Sequence, residues 1–194
     1  MKKSMILALI LIQLIFFAFL PFWLELTRYL HPVVIVVVWI CYSILTLFLI
    51  SLITRQTIRL PRKFLHISII GYALLLLILL FFRPNERAFL SINLMPFRTI
   101  WFYLTFDGNA LVAFYNLAAN IGLFIPFGVY YRYITKNAKL VSLAIIVAAV
   151  ICIVEITQLA TGRGSLDIDD LILNVLGAVI GFGLFPLSKK VFKV

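Results

Sequence analysis

The sequence predicts an all-α polytopic membrane protein: a helix bundle of about six transmembrane helices with both termini cytoplasmic and an interfacial segment around residues 83–109. Three observations predict it. Hydrophobic residues make up 64% of the 194, against roughly 45–50% in soluble domains, and mean hydropathy is +1.16. Apolar runs of about twenty residues recur along the chain, the length that crosses a bilayer core of about 30 Å. Basic residues cluster on alternate connections between those runs, as the positive-inside rule requires. The length leaves room for one such bundle and no separate soluble domain.

Met1-Lys2-Lys3 precedes the first run, Met5 to Leu24. It is too long for a signal peptide and lacks a small-x-small cleavage site, so it reads as a retained span. A short loop with Glu25, Arg28 and His31-Pro32 leads to the second span, Val33 to Ile53. The basic loop Arg55, Arg59, Arg62, Lys63 precedes the third, Phe64 to Phe82. From Arg83 to Asn109 charges are mixed and aromatics frequent, including Phe97, Trp101, Phe102, Tyr103 and Phe106. Such a stretch is too polar to span and too apolar to stand free in water, so it is expected to lie along the membrane surface. The fourth span, Ala110 to Tyr131, is interrupted by Asn116, Asn120 and Pro126. Arg132, Lys136 and Lys139 lead to the fifth, Leu140 to Ala160. The loop Gly162–Asp170 leads to the sixth, Leu171 to Leu187, and Lys189, Lys190 and Lys193 close the chain. By this reading residues 1–63 form an N-terminal pair of spans, 64–187 a motif-bearing membrane region and 188–194 a basic cytoplasmic tail.

Six spans place both termini on one side. Twelve basic residues and no acid fall there, and five basic residues with all seven acids fall opposite. The net charge of +10 is therefore a matter of topology, with membrane lipids as the expected partner and no nucleic acid. Cys41 and Cys152 sit inside apolar runs and read as small packing residues rather than a disulfide pair.

Four of the seven acids lie between Glu155 and Gly181. Glu155 falls inside the fifth span, about five residues or 7–8 Å from its outer end, with Gln158 on the same face. Asn116 and Asn120, four apart, share a face of the fourth span; Asp170 and Asn174, also four apart, share one on the sixth, continued by Ala178 and Gly181. Arg163, Asp167 and Asp169 stand in the loop just above. Three spans thus aim amides and carboxylates at one level. A carboxylate in a span needs a partner or a proton, and the expected partners of Glu155 are Arg163 or the Asn120 and Asn174 amides. The competing reading is a packing cluster: polar side chains join membrane helices, Gly177-x-x-x-Gly181 suits close helix contact, Pro126 suits a tolerated kink, and Asp169 or Asp170 suits the N-cap of the last helix.

Other chemistry finds little support. Asp167-x-Asp169-Asp170 lacks the glycine and distal Glu of a calcium loop, so no metal is expected. His31 and His66 fall on opposite sides of the membrane in this topology. No phosphate loop, zinc-ligand cluster or nucleophile elbow is present in the sequence, and no cofactor is expected.

Four ordered motifs resemble the VanZ-like family: Asn93-Leu-Met-Pro96-Phe97; Asn116-Leu-Ala-Ala-Asn120 through Pro126-Phe-Gly128; Glu155-x-x-Gln158; and Gly162-Arg163-x-x-x-Asp167-x-Asp169-Asp170-x-x-x-Asn174-x-x-Gly177. The resemblance covers roughly residues 91–183, and the earlier spans agree only in hydrophobic pattern. It implies a multi-span membrane protein of the bacterial cell envelope, in a family named after an accessory protein for resistance to teicoplanin-type glycopeptide antibiotics. Two readings of the cluster follow. In the first it binds an amphipathic ligand at the extracellular side, a lipoglycopeptide or a lipid-linked cell-wall precursor. The contacts would be Asn116, Asn120, Glu155, Gln158, Arg163, Asp167, Asp169, Asp170 and Asn174, with the aromatic Phe97–Phe106 stretch as a lipid-side wall. In the second it belongs to an intramembrane hydrolase or transferase acting on a lipid-linked substrate, with Glu155 or Asp170 as general base. A transporter needs a polar path to the inner face, and the inner halves of the spans carry almost no polar residues.

Overall fold

The computed structural model describes residues 3–26, 33–81, 92–105 and 110–194. It is all-α apart from two short strand pairs, and it divides into two compact units. One holds Met1–Pro84 together with Pro186–Val194; the other holds Asn85–Phe185.

In the first unit, the run expected as one span from Met5 to Leu24 is split into α1 (Lys3–Ala18) and α2 (Leu20–Leu26). Pro21 explains the break, since it has no N–H to give to the carbonyl one turn back. Hydrogen bonds from Phe19 N–H to Ile15 and from Trp23 N–H to Phe19 carry the helical course across it. α1 alone, at 1.5 Å per residue, rises only about 24 Å. α3 (Val33–Ile53) packs on α1 through a polar clasp inside an otherwise apolar surface. Trp39 Nε1 donates to Gln13 Oε1 at 2.6 Å, and Gln13 Nε2 donates to Ser43 Oγ at 3.1 Å. Such a contact between membrane helices is worth about 0.6–2 kcal/mol, because the alternative is an unsatisfied amide in hydrocarbon. Phe16, 2% exposed, seals the seam against Tyr42 and Trp23.

After α3 come β1 (Ile58–Arg59) and α4 (Arg62–Phe81), which buries Tyr72 and Leu76. Along α1, α3 and α4 the large apolar residues that miss the seams face outward, among them Leu14, Leu45 and Ile67. An outward apolar surface of this extent suits lipid as solvent.

The second unit begins with β2 (Ile92–Asn93), α5 (Arg98–Thr105) and α6 (Ala110–Ile134). It continues through α7 (Leu140–Ala160), β3 (Leu166–Asp167) and most of α8 (Ile168–Val191), and β4 (Phe192–Lys193) ends the chain in the first unit. β2 and β3 pair in parallel, Ile92 with Leu166 and Asn93 with Asp167, a link the hydropathy pattern does not announce.

α8 begins three residues earlier than expected, because Asp167 and not Asp169 or Asp170 is its cap. The Asp167 Oδ1 accepts the Asp169 N–H at 2.9 Å, the geometry by which an N-cap side chain satisfies an open helix donor. At its other end α8 runs through Pro186 to Val191. The carbonyl that Pro186 leaves open is that of Phe182, and Arg132 Nη1 donates to it at 3.3 Å. The same guanidinium lies over the Phe182 and Phe185 rings, 4.7 and 4.5 Å from their centroids, so charge, packing and the orphaned acceptor are met together.

The α6–α8 seam is built on glycine. A Cβ added at Gly177 would collide with the Ile121 carbonyl, one at Gly181 with the Ile125 carbonyl, and one at Gly128 with the Ala178 carbonyl. Ala178 is 0% exposed. The backbones touch, which is the close approach that small residues at four-residue spacing permit in membrane helices.

Among the described residues, four helices are long and apolar enough to cross a membrane: Ile35–Ile53, Arg62–Phe81, Leu140–Ala160 and Ile168–Val191. The segment expected at the interface, 83–109, falls partly outside the described residues, and so does Phe106 within its aromatic stretch. Its described part, 92–105, exposes Leu94, Met95, Phe97, Trp101, Phe102 and Leu104.

Candidate functional site

α7 buries one stripe, Leu143, Val147, Ile151 and Glu155, spaced four apart so that all four point the same way. Glu155 therefore continues the packed face, 6% exposed, instead of turning to lipid. The helix ends at Ala160, and Thr161 and Gly162 close it in a glycine cap. Gly162 has φ +66, its N–H reaches the Leu159 carbonyl, and the Arg163 N–H reaches the Gln158 carbonyl. These two bonds define the left-handed turn that glycine adopts without steric cost. The turn folds the chain back, so that β3 packs against α7, the Asp167 backbone N–H approaches the Glu155 carboxylate, and Asp170 and Asp167 come within electrostatic range of it.

Asp167 and Asp169 do something the sequence did not suggest. Asp169, 0% exposed, accepts the backbone N–H groups of Phe97 at 2.5 Å, Thr99 at 2.6 Å and Ile100 at 3.1 Å. These are open donors at the start of α5, so a carboxylate on α8 serves as the cap that α5 lacks in its own sequence. Phe97 itself sits at φ +65, a region sparsely populated by residues other than glycine, and its captured N–H helps hold it there. Asp167 takes up the rest of the motif. Its Oδ1 accepts from Asn93 Nδ2 at 3.0 Å and its Oδ2 from the Thr99 hydroxyl at 2.6 Å, while Asn93 Oδ1 receives the Met95 N–H at 3.3 Å. The Asn93–Phe97 turn and the Asp167–Asp170 stretch are thus two halves of one clasp.

The amides divide differently from expectation. Asn120 Nδ2 donates to Asp170 Oδ1 at 2.6 Å, tying α6 to α8, and so is not the partner of Glu155. Arg163 is exposed on the turn. Asn116 and Gln158 are half-buried, with Gln158 lying under Gly164. Asn174, 5% exposed, follows Asp170 by one turn on α8. Two acceptors remain. Within this cluster, Glu155 Oε1 and Asn174 Oδ1 are buried side-chain oxygens without a hydrogen-bond donor among the described residues. The expected pairing of Glu155 with Arg163 or an amide is therefore replaced by a single backbone N–H.

The structure accordingly brings Asn120, Glu155, Asp167, Asp169 and Asp170 into one region and leaves Arg163 at its rim. Thr99 is the participant that sequence reasoning passed over, and Asn93, present in the first motif, was given no contact there. A signal was present: Phe97-Arg98-Thr99 opens a helix with no Ser, Thr, Asp or Asn at the capping position, which implies a cap from elsewhere in the chain. Among the described residues no group of three or more His, Cys, Asp or Glu is arranged to hold a metal ion.

The VanZ/LLP1 family model matches residues 69–189. Protein VanZ of Enterococcus faecium is 32% identical to this chain over 113 residues, which make up 58% of the chain and 62% of that protein. The chain thus matches less than two thirds of the length of this curated relative. No solved structure matches it.

Proposed function

Since the chain belongs to the VanZ/LLP1 family, we propose that it is a multi-pass protein of the bacterial cell envelope linked to resistance to teicoplanin-type glycopeptides. It acts by holding the polar head of an amphipathic ligand at the outer leaflet. The observation that carries the binding reading is the pair of buried acceptors, Glu155 Oε1 and Asn174 Oδ1. A buried acceptor without a donor costs about 1–3 kcal/mol, and a ligand bearing hydroxyl, amide or ammonium donors removes that cost. A lipoglycopeptide and a lipid-linked cell-wall precursor both carry such donors beside an acyl chain, and the exposed aromatics of α5 give the chain an apolar wall. Asp167 and Asp169, whose oxygens are taken by the 93–100 turn, shape this site without facing the ligand.

The membrane arrangement proposed is six spans, with α1 and α2 together forming the first, α6 the fourth, and both termini cytoplasmic. Its support is the one-sided basic charge. Single cysteines replacing Leu60, Lys136 and Lys190, in a background lacking Cys41 and Cys152, are expected to resist an impermeant thiol reagent on intact cells, and one replacing Ser165 to react. Labelling at 136 from outside contradicts six spans.

Expression of the chain in a susceptible Gram-positive host is expected to raise the inhibitory concentration of teicoplanin more than that of vancomycin, because the drug with the acyl tail partitions to the level of the cluster. Equal or absent shifts for the two drugs, with the protein present in the membrane, overturn the resistance reading.

A further inference from the structure

The first unit brings together, at one end, segments that lie more than a hundred residues apart. β1 sits between the end of α3 and the start of α4, and it pairs in parallel with β4, which directly follows α8. The register sets Ile58 beside Phe192 and Arg59 beside Lys193. The Leu60 N–H donates to the Lys193 carbonyl at 2.8 Å, and the Phe192 ring meets that of Phe48.

This pairing has an electrostatic consequence. Arg59 and Lys193 are like charges directly opposite across strands, an arrangement that disfavours the pair. Arg55, Arg62, Lys63, Lys189 and Lys190 add to the same two segments, all seven side chains are exposed, and neither 54–66 nor 186–194 contains an Asp or Glu side chain. Two residues of strand pairing are little to hold two such segments together. A counter-anion resolves the conflict, and one that bridges both segments converts the repulsion into a tie. The neighbourhood indicates what carries that anion. Ile53, Phe64 and Leu187, beside the basic residues in sequence, are 79%, 54% and 38% exposed. Charged heads next to exposed apolar side chains at helix ends match phosphate above acyl chain; a soluble polyanion has no use for the apolar half.

We propose that the patch formed by 55–63 and 189–193 binds anionic phospholipid headgroups, whose phosphates bridge β1 and β4 and so fasten the C-terminus to the α3–α4 loop. This site is independent of the outer cluster, and either can fail without the other.

The test places the full-length chain in nanodiscs of phosphatidylcholine alone or with about a third phosphatidylglycerol, with melting temperature as the readout. The anionic discs are expected to raise it by roughly 5 °C, and high salt to shrink that shift by screening. Arg59→Ser combined with Lys193→Ser should lose at least half of the shift, whereas Arg59→Lys with Lys193→Arg should keep it. Equal melting temperatures of the wild type in the two discs overturn the proposal, with no variant required. So does a full shift in the serine pair, or an equal rise when inorganic phosphate or heparin is added to phosphatidylcholine discs, which would mark a soluble-anion site.

Discussion

Gly177→Ala is expected to abolish accumulation of folded protein, while Gly183→Ala, on the same helix, leaves it intact. The two substitutions add the same methyl group to α8, and by helix propensity alone each should help by up to about 1 kcal/mol. Their surroundings decide otherwise. At Gly177 the new Cβ runs into the Ile121 carbonyl and crowds Phe124 Cβ, whereas at Gly183 it meets nothing within 4 Å. The obstacle at Gly177 is backbone, which has no rotamer to offer, so α6 and α8 must move apart. That separation also strains the neighbouring contacts at Gly128 and Gly181. Overpacking of this kind costs roughly 3 kcal/mol or more, and the Asn120–Asp170 hydrogen bond spans the same pair of helices. Size-exclusion profiles of the two detergent-extracted variants check the expectation. A monodisperse Gly177→Ala protein with wild-type melting would show that the seam yields more readily than the geometry implies.

Asp169→Ala is expected to release the 92–105 segment while the long helices stay formed. A fully buried carboxylate is lost, and three backbone N–H groups lose their acceptor at once. Hydrogen bonds to a charged acceptor contribute about 1.5–3 kcal/mol each, and the effect is local, because α5 is a single short helix with no buried residue of its own. Phe97 then has no reason to remain at positive φ. Amide exchange over residues 97–100 is expected to rise by about two orders of magnitude, with that of α7 unchanged. Unaltered protection at 97–100 would mean that packing alone holds the turn.

Sequence reasoning reached the helices more readily than it reached their joints. The runs 33–53 and 140–160 are continuous and apolar, so their ends coincide with α3 and α7. Gly177 and Gly181 were legible as a packing edge because four-residue spacing fixes their face whatever the partner. The break within the first run escapes a hydropathy average, because Pro21 acts on backbone hydrogen bonding. The last helix extends at both ends for reasons held outside it or just before it: the Asp167 cap at one end, and at the other an Arg132 that takes over the carbonyl freed by Pro186. The polar cluster was visible as a level, since helical periodicity places Glu155, Asn120 and Asp170 along their own helices. Which group bonds which was not visible. Asn120 could face Glu155 or Asp170 at the same depth, and only the crossing of α6 with α8 selects Asp170. The union of Asp169 with residues 97–100 joins positions about seventy apart with no shared pattern, and it leaves in the sequence only the missing cap of α5.

Glu155→Gln, measured for teicoplanin inhibitory concentration and for melting temperature in detergent, tests most directly whether the polar cluster is a binding site. The amide keeps the size of the side chain and can still accept the Asp167 N–H, but it puts an NH2 group where a donor-bearing ligand would meet an oxygen. Loss of the resistance phenotype is expected with melting within about 2 °C of wild type, and Asn174→Ala should weaken the phenotype less. A phenotype that survives Glu155→Gln, or one that falls in both variants only in step with their melting temperatures, would show Glu155 and Asn174 to be packing residues and contradict the binding site.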